Sequence, residues 1–120
     1  MKHILLVDDD QDMIMLIERW LKKEYRVAAA ISGRDAVEYI TKEKPDLVLL
    51  DYYMPDMNGP ETLKEIRKIQ GCTELPVVFL TGMEEVEGDA TDIEPSAFWS
   101  KSMGKKQLLP AIAELLESIS

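Results

Sequence analysis

The chain has 120 residues, which fits one compact domain over residues 1–120 and leaves no room for a second. It carries 14 Lys and Arg against 23 Asp and Glu, and this formal net charge of −9 excludes nucleic acid and an anionic membrane surface as main partners, since both need a basic face. No apolar run approaches the roughly 20 residues that span a bilayer, the first residues do not form a signal peptide, and a single cysteine cannot form an internal disulfide, so we expect a cytoplasmic protein.

Short apolar runs alternate with segments of helical spacing along the whole chain. The runs are too short for helices, and most lack polar alternation, which is typical of strands that are buried on both faces of a sheet. In chain order, the predicted strands are 4–7, 27–30, 47–50, 77–80 and 97–99.

Four of the intervening segments carry apolar residues three or four positions apart, which places these residues on one face of a helix. The predicted faces are Met13, Leu16, Ile17, Trp20 and Leu21; Ala36, Val37 and Ile40; Leu63 and Ile66; and Leu108, Ile112, Leu115 and Ile119. Pro110 falls inside the last stripe. Either this helix begins near Lys105 and loses one hydrogen bond, or it begins only near Leu109.

The segment 82–96 is predicted to form a fourth helix that is short or irregular. It contains Gly88 and Pro95, and only Val86, Ala90 and Ile93 have helical spacing. The surface of this segment therefore need not resemble that of a related protein.

Strands that alternate with helices predict parallel strands joined by right-handed crossovers, with helices on both faces of the sheet. In open sheets of this kind, functional sites lie beyond the carboxyl ends of the strands. The predicted strand ends deliver carboxylates, a hydroxyl and an ammonium group to one edge. These residues are Asp8, Asp9, Asp10, Asp51, Thr81, Ser100 and Lys101. Asp10 precedes the first helix and is expected to cap it.

Carboxylates that are brought together repel one another, so that they must keep protons or bind a cation. A hard divalent ion such as Mg²⁺ (or Mn²⁺) suits oxygen ligands and keeps positions open for a phosphoryl oxygen. Phosphoryl transfer mainly needs positioning and charge neutralisation, and a carboxylate is a competent nucleophile for phosphorus. Asp51 stands alone at the end of the central apolar strand and is the best candidate for this nucleophile.

The segments ILLVDD (4–9), LVLLDYYMPDMNG (47–59) and VVFLT (77–81), followed by Lys101, resemble the receiver domain of two-component response regulators. The resemblance covers nearly the whole chain. It implies an α/β fold of the flavodoxin-like, doubly wound class: a single five-stranded parallel sheet in the order 2-1-3-4-5, flanked by five helices.

The resemblance also implies roles for individual residues. Asp9 would bind Mg²⁺ directly, Asp8 mainly through water, and Asp51 would be both phosphoacceptor and ligand. Further implied roles are a metal contact from the Tyr53 backbone carbonyl, phosphoryl contacts from Thr81 and Lys101, a conformational switch at Thr81 and Phe98, and control of water access by Tyr53 and Met83.

The implied function is a phosphoryl-accepting signalling switch, a phosphoprotein of a two-component pathway or phosphorelay. The donor would be a histidine kinase or a histidine phosphotransfer protein. The output would pass through a face made by helix 4, strand 5 and helix 5 to a downstream protein target or a homodimer. Such a domain is not an independent enzyme in the usual sense, since it catalyses its own phosphorylation and slow autodephosphorylation.

One position departs from the family pattern. Receivers usually have Pro after the active-site lysine, with a cis peptide bond, whereas Ser102 follows Lys101 here. A cis bond before a residue other than Pro costs about 3 kcal/mol, so we predict a trans bond.

Three other functions remain open. A pseudo-receiver would bind a partner without phosphorylation. A phosphatase with an aspartyl nucleophile would carry a further acidic motif after the lysine, and none comparable follows Lys101. A flavodoxin-like flavin carrier would have a phosphate loop rich in Ser, Thr and Gly after the first strand, where this chain has three aspartates that would repel the flavin phosphate.

Overall fold

The computed structural model describes residues 1–82 and 95–118. In chain order the elements are β1 (His3–Val7), α1 (Gln11–Leu21), β2 (Arg26–Ala30), α2 (Gly33–Lys42), β3 (Leu47–Asp51), α3 (Gly59–Lys68), β4 (Val77–Thr81), β5 (Ala97–Ser100) and α4 (Lys105–Ser118). The predicted fourth helix falls almost entirely within 83–94, outside the described residues, so α4 is the last helix predicted from the sequence.

All five strands lie in one parallel sheet in the order β2-β1-β3-β4-β5, as predicted. The register aligns the carboxyl ends of the strands: Val7 pairs with Leu50, and Thr81 pairs with Ser100. Residues that directly follow these strands therefore meet at one edge of the sheet, as the sequence pattern indicated.

Every residue of β1, β3 and β4 is buried, and successive side chains alternate between two apolar clusters. Leu5 and Val7 belong to the cluster covered by α2 and α3, whereas Ile4 and Leu6 belong to the cluster covered by α1 and α4. The central strands therefore lack polar alternation because both of their faces are covered. The site residues that follow these strands are attached to the buried centre of the sheet.

Polar side chains fix where the helices begin. The Asp10 carboxylate accepts hydrogen bonds from the backbone N–H groups of Asp12 and Met13, which confirms its predicted role as the cap of α1. Asn58 and Glu61 form a reciprocal capping box at the start of α3. The cap of α1 therefore keeps the acidic residues that precede this helix at the sheet edge.

The buried faces of two helices differ by a residue from the predicted ones. In α1, Ile14, Ile17 and Leu21 are buried, whereas Leu16 is 41% exposed. Leu16 lies about 100° around the helix from Ile17, which turns it away from the sheet. In α4 the fully buried residues are Leu108, Ile112 and Leu116, and Leu115 packs only at the edge of the cluster, while Ile119 is outside the described residues.

Helix α4 begins at Lys105 and contains Pro110, so that the alternative start near Leu109 was wrong. The proline is exposed and costs the helix one backbone hydrogen bond on its solvent side. None of the helices in the described ranges combines the length and the apolar character that crossing a bilayer requires.

Cys72 lies in the loop after α3 and is only 1% exposed. The turn after α3 places it in the cluster under α2 and α3. Arg67 holds this turn, since its Nη1 donates to the backbone oxygens of Cys72 at 3.0 Å and Leu75 at 2.6 Å.

His3 lies at the opposite end of the sheet from the acidic residues and is 6% exposed. Its Nε2 is 2.6 Å from the Tyr39 hydroxyl, which in turn donates to Glu43. This polar network joins β1 to α2, and it places His3 away from the site at the carboxyl edge.

Candidate functional site

Three carboxylates meet at the carboxyl edge of the sheet. Asp8 and Asp9 directly follow β1, and Asp51 is the last residue of β3. One oxygen from each carboxylate lies within 4.8 Å of the others. Asp8 and Asp51 are buried, at 5% and 6% exposed, whereas Asp9 faces solvent. Their positions follow from the parallel register, since β1 and β3 end side by side.

Lys101 joins the two buried carboxylates. Its Nζ lies 2.9 Å from Asp8 Oδ2 and 3.2 Å from Asp51 Oδ1. The backbone N–H of Lys101 donates to the Thr81 carbonyl at 2.9 Å, which ties the loop after β5 to the end of β4. Lys101 thus directly contacts three other predicted site residues, which are Asp8, Asp51 and Thr81.

Backbone contacts fix the orientation of Asp8. Its Oδ1 accepts the N–H of Asp10 at 2.9 Å, and its own N–H donates to the Ala30 carbonyl at 3.1 Å. Asp8 Oδ2 is therefore left to face Lys101. The carboxylate of Asp51 accepts a hydrogen bond from the N–H of Tyr53.

Burial and the neighbouring Asp8 charge raise the pKa of Asp51 to about 6, although the Lys101 ammonium and the Tyr53 N–H favour the ionised form. Burial also acts to lower the pKa of Lys101, but its hydrogen bond to Asp8 and its ion pairs with both carboxylates outweigh burial and raise that pKa. Lys101 is therefore a full cation at neutral pH.

The site holds three carboxylates against one ammonium group, and so carries excess negative charge when Asp51 is ionised. Carboxylate oxygens at this spacing are the ligands that Mg²⁺ or Mn²⁺ prefers, whereas a soft metal would need Cys or His, and the cluster contains neither. The donor set therefore fits a hard divalent cation.

Thr81 ends β4 and is 6% exposed, beside the end of β3. Phe98 lies on β5, where it is partly buried and packs against Phe79 with ring centroids 5.2 Å apart. The Tyr53 ring is 49% exposed and meets Tyr52 edge-on at 4.9 Å. Met83 is outside the described residues.

Sequence reasoning missed Tyr52. This ring is 5% exposed and contacts Phe79 edge-on at 5.2 Å, so that Tyr52, Phe79 and Phe98 form a continuous aromatic contact from the acceptor strand to β5. The available signal was the alternation of β3, which continues past Asp51 and turns the next side chain into the core.

Gly59 brings the loop after β3 back onto the acceptor strand. Its N–H donates to the Tyr52 carbonyl at 2.8 Å, and a Cβ at this position would lie 2.9 Å from both the Asp51 carbonyl oxygen and the Tyr52 Cα. Glycine at position 59 is therefore a packing requirement, because a larger residue would push the loop off the strand that carries Asp51.

The loop after β5 has a trans peptide bond between Lys101 and Ser102, as predicted. The Ser100 hydroxyl accepts the N–H of Ser102 at 3.0 Å, and the Ser100 carbonyl accepts the N–H of Met103 at 3.1 Å. Lys101 thus lies inside a tight turn that its own neighbours close.

The family model of the response regulator receiver domain matches residues 4–113. A curated relative, the probable cyclic di-GMP phosphodiesterase of Vibrio cholerae serotype O1, is 39% identical over 94 residues, which are 78% of this chain and 21% of that protein. The chain thus spans about a fifth of the length of this relative.

Solved structures are similar over nearly the whole chain. The chemotaxis protein CheY4 of Vibrio cholerae is 25% identical, with a TM-score of 0.87, covering 95% of this chain and 98% of that one. The response regulator TrrA of Thermotoga maritima, solved in complex with Mg²⁺ and BeF, is 28% identical with a TM-score of 0.86, covering 96% and 99%.

Proposed function

Because the chain belongs to the family of response regulator receiver domains, we propose that it is a switch that accepts a phosphoryl group on Asp51 with the help of Mg²⁺. One observation carries the proposal: the Lys101 ammonium lies between Asp8 and Asp51 in a cluster of three carboxylates at the carboxyl edge of the sheet. No other group in the described ranges 1–82 and 95–118 joins a buried nucleophile, a cation and a set of metal ligands in this way.

An Asp51 carboxylate oxygen attacks the phosphorus of the donor, so that a new P–O bond forms while the P–N bond to the donor histidine breaks. The leaving imidazole keeps the electron pair and takes up a proton from solvent. Asp51 must be ionised to attack, which the pKa of about 6 permits at neutral pH. The Tyr53 N–H orients the carboxylate for this step.

The residues that would hold the metal are Asp8, Asp9, Asp51 and the backbone carbonyl of Tyr53. Bound Mg²⁺ would neutralise the carboxylates and offer a coordination position to a phosphoryl oxygen. The similarity to TrrA, which was solved with Mg²⁺ and BeF, supports this assignment.

Lys101 and Thr81 bind the phosphoryl oxygens that the metal leaves free. The ammonium already contacts Asp51 Oδ1 and needs only a small movement to pair with a phosphoryl oxygen that is attached there. The Thr81 hydroxyl then moves toward the phosphoryl group and Phe98 follows, which shifts an equilibrium between two states.

The output passes through the face that contains β5 and α4, toward a protein target or a second copy of the chain. The donor is a histidine kinase or a histidine phosphotransfer protein. We place this switch in the cytoplasm, without nucleic acid or membrane as direct partners, in keeping with its net charge of −9.

Incubation with acetyl phosphate and Mg²⁺ tests the proposal. One phosphoryl group should be added, about 80 Da by its formula, and it should be labile as an acyl phosphate is. Asp51→Asn should abolish the addition, while Asp56→Asn, which changes an exposed aspartate in the following loop, should keep it.

Undiminished labelling of Asp51→Asn would contradict the assignment of the acceptor. Absence of labelling in the unaltered protein, with Mg²⁺ binding intact, would instead favour a pseudo-receiver that binds its partner without phosphorylation.

A further inference from the structure

Ser102 stands where receivers usually carry Pro, and this exchange adds a hydrogen-bond donor next to the lysine. Proline has no backbone N–H, so the usual loop has nothing to satisfy at that position. The Ser102 N–H is instead bound by the hydroxyl of Ser100, two residues earlier, at 3.0 Å. A side-chain hydroxyl that closes a turn on its own backbone in this way restricts the residue between them.

Three contacts hold the backbone of Lys101. Its own N–H donates to the Thr81 carbonyl at 2.9 Å, and the Ser100 carbonyl accepts the Met103 N–H at 3.1 Å across the turn. The bond from the Ser102 N–H to Ser100 Oγ is the only one of the three that a side chain makes. The hydroxyl of Ser100 therefore adds a side-chain hydrogen bond to a turn that the backbone bond from the Met103 N–H to the Ser100 carbonyl also closes.

We propose that Ser100 is a positioning residue for Lys101 in phosphoryl transfer, replacing with its hydroxyl the restraint that proline gives in other receivers. The inference rests on the proposed function, since it concerns the lysine that would contact the phosphoryl group. Ser100 itself does not touch the acceptor in the described contacts. It acts by fixing the backbone from which the Lys101 ammonium reaches Asp8 and Asp51.

The Ser102 hydroxyl lies 2.6 Å from the Ser100 hydroxyl, so that one of the two hydroxyls donates a hydrogen bond to the other. The hydrogen bond that Ser100 Oγ accepts from the turn, however, uses the backbone N–H of residue 102, which any residue except proline provides. The inference therefore distinguishes the two serines: the hydroxyl at position 100 matters, and the hydroxyl at position 102 does not.

The experiment measures the initial rate of Asp51 phosphorylation by acetyl phosphate at saturating Mg²⁺. Ser100→Ala should lower the rate about fivefold, the effect of losing one neutral hydrogen bond. Ser100→Thr should restore it, because threonine keeps the hydroxyl, and Ser102→Ala should stay within about twofold of the unaltered protein. Hydrogen exchange of the Ser102 amide should quicken about fivefold in Ser100→Ala and not in Ser100→Thr.

A double-variant cycle separates positioning from a general structural role. In the background Lys101→Ala, followed over longer incubations, Ser100→Ala should cause no further loss of rate, because the residue that it positions is gone. An equal loss in both backgrounds would overturn the inference, and so would an unchanged rate in Ser100→Ala.

The two proposals fail in different ways. If the unaltered chain is not labelled on Asp51, the proposed function falls and this inference falls with it. If the unaltered chain is labelled and Ser100→Ala is labelled equally fast, only the inference about Ser100 falls.

Discussion

Replacing Asp51 with asparagine should stabilise the metal-free protein, although the change removes the residue on which the function depends. Asp51 is 6% exposed, and burial and the nearby Asp8 carboxylate raise its pKa to about 6 from an ordinary 3.8. The ionised side chain therefore destabilises the folded state at neutral pH. An amide of nearly the same shape has no charge to bury.

The size of the effect follows from the raised pKa. A shift of about two units corresponds to about 3 kcal/mol of lost stability at a pH well above 6. That pKa already includes the attraction between the Lys101 ammonium and the ionised carboxylate, so about 3 kcal/mol is an upper bound, and the amide NH2 group of asparagine, unlike a carboxyl oxygen, accepts no hydrogen bond. We therefore expect a net gain of about 1–2 kcal/mol in the free energy of unfolding at pH 7.5.

The gain in the free energy of unfolding that Asp51→Asn causes should be larger at high pH than at low pH. A carboxyl group whose pKa is higher in the folded state binds protons preferentially there, so that stability falls as pH rises from about 4 to about 6 and stays low above that. The gain from asparagine should thus be complete at pH 7.5 and largely absent at pH 4. Urea unfolding in the presence of a chelator measures both values.

Asp9→Asn is the matched control, because Asp9 belongs to the same cluster but faces solvent. Its effect on the free energy of unfolding should stay within about 0.5 kcal/mol at either pH. A destabilised Asp51→Asn at pH 7.5, or a gain that is larger at pH 4 than at pH 7.5, would refute the reasoning.

Three further predictions concern the metal, the phosphoryl lifetime and the loop after β3. Mg²⁺ should raise the melting temperature by the equivalent of about 1.4 kcal/mol at ten times its Kd, and Asp9→Ala should lose this response; an equal rise in that variant would locate the metal elsewhere. The acyl phosphate should decay slowly because Tyr53 and Met83 offer no carboxylate or amide to orient the attacking water and are bulky enough to obstruct it. The double variant Tyr53→Asn/Met83→Glu should therefore decay about 10²-fold faster, and unchanged decay would disprove the shielding. Gly59→Ala should lower the free energy of unfolding by about 2 kcal/mol, whereas Gly104→Ala, which meets open space, should change it by less than about 0.5 kcal/mol in urea titrations.

The strands and the carboxylate cluster could be predicted because each depends on a local pattern and one topological rule. A run such as Leu47–Asp51 lacks polar residues until its end, which indicates a strand that is buried on both faces. Parallel pairing then brings Asp8 and Asp51 to one edge without further information.

The features that the sequence did not predict depend on contacts that no local pattern contains. Leu16 has the spacing of a buried residue, but the position of α1 on the sheet favours Ile14. The burial of Cys72 depends on a turn that Arg67 holds through two carbonyl oxygens. The close approach of Gly59 to the acceptor strand also requires the folded loop. Each of these features depends on how the helices, strands and loops pack against one another, which the local sequence does not specify.

The burial of Cys72 has a practical consequence for experiments on this protein. It is the only thiol in the chain and is 1% exposed, enclosed by the cluster under α2 and α3. A thiol reagent in solution can reach it only when this part of the molecule opens, so the labelling rate reports the frequency of opening. A second cysteine introduced on the surface, for example to carry a fluorophore, would react far faster and could be labelled selectively with Cys72 left in place.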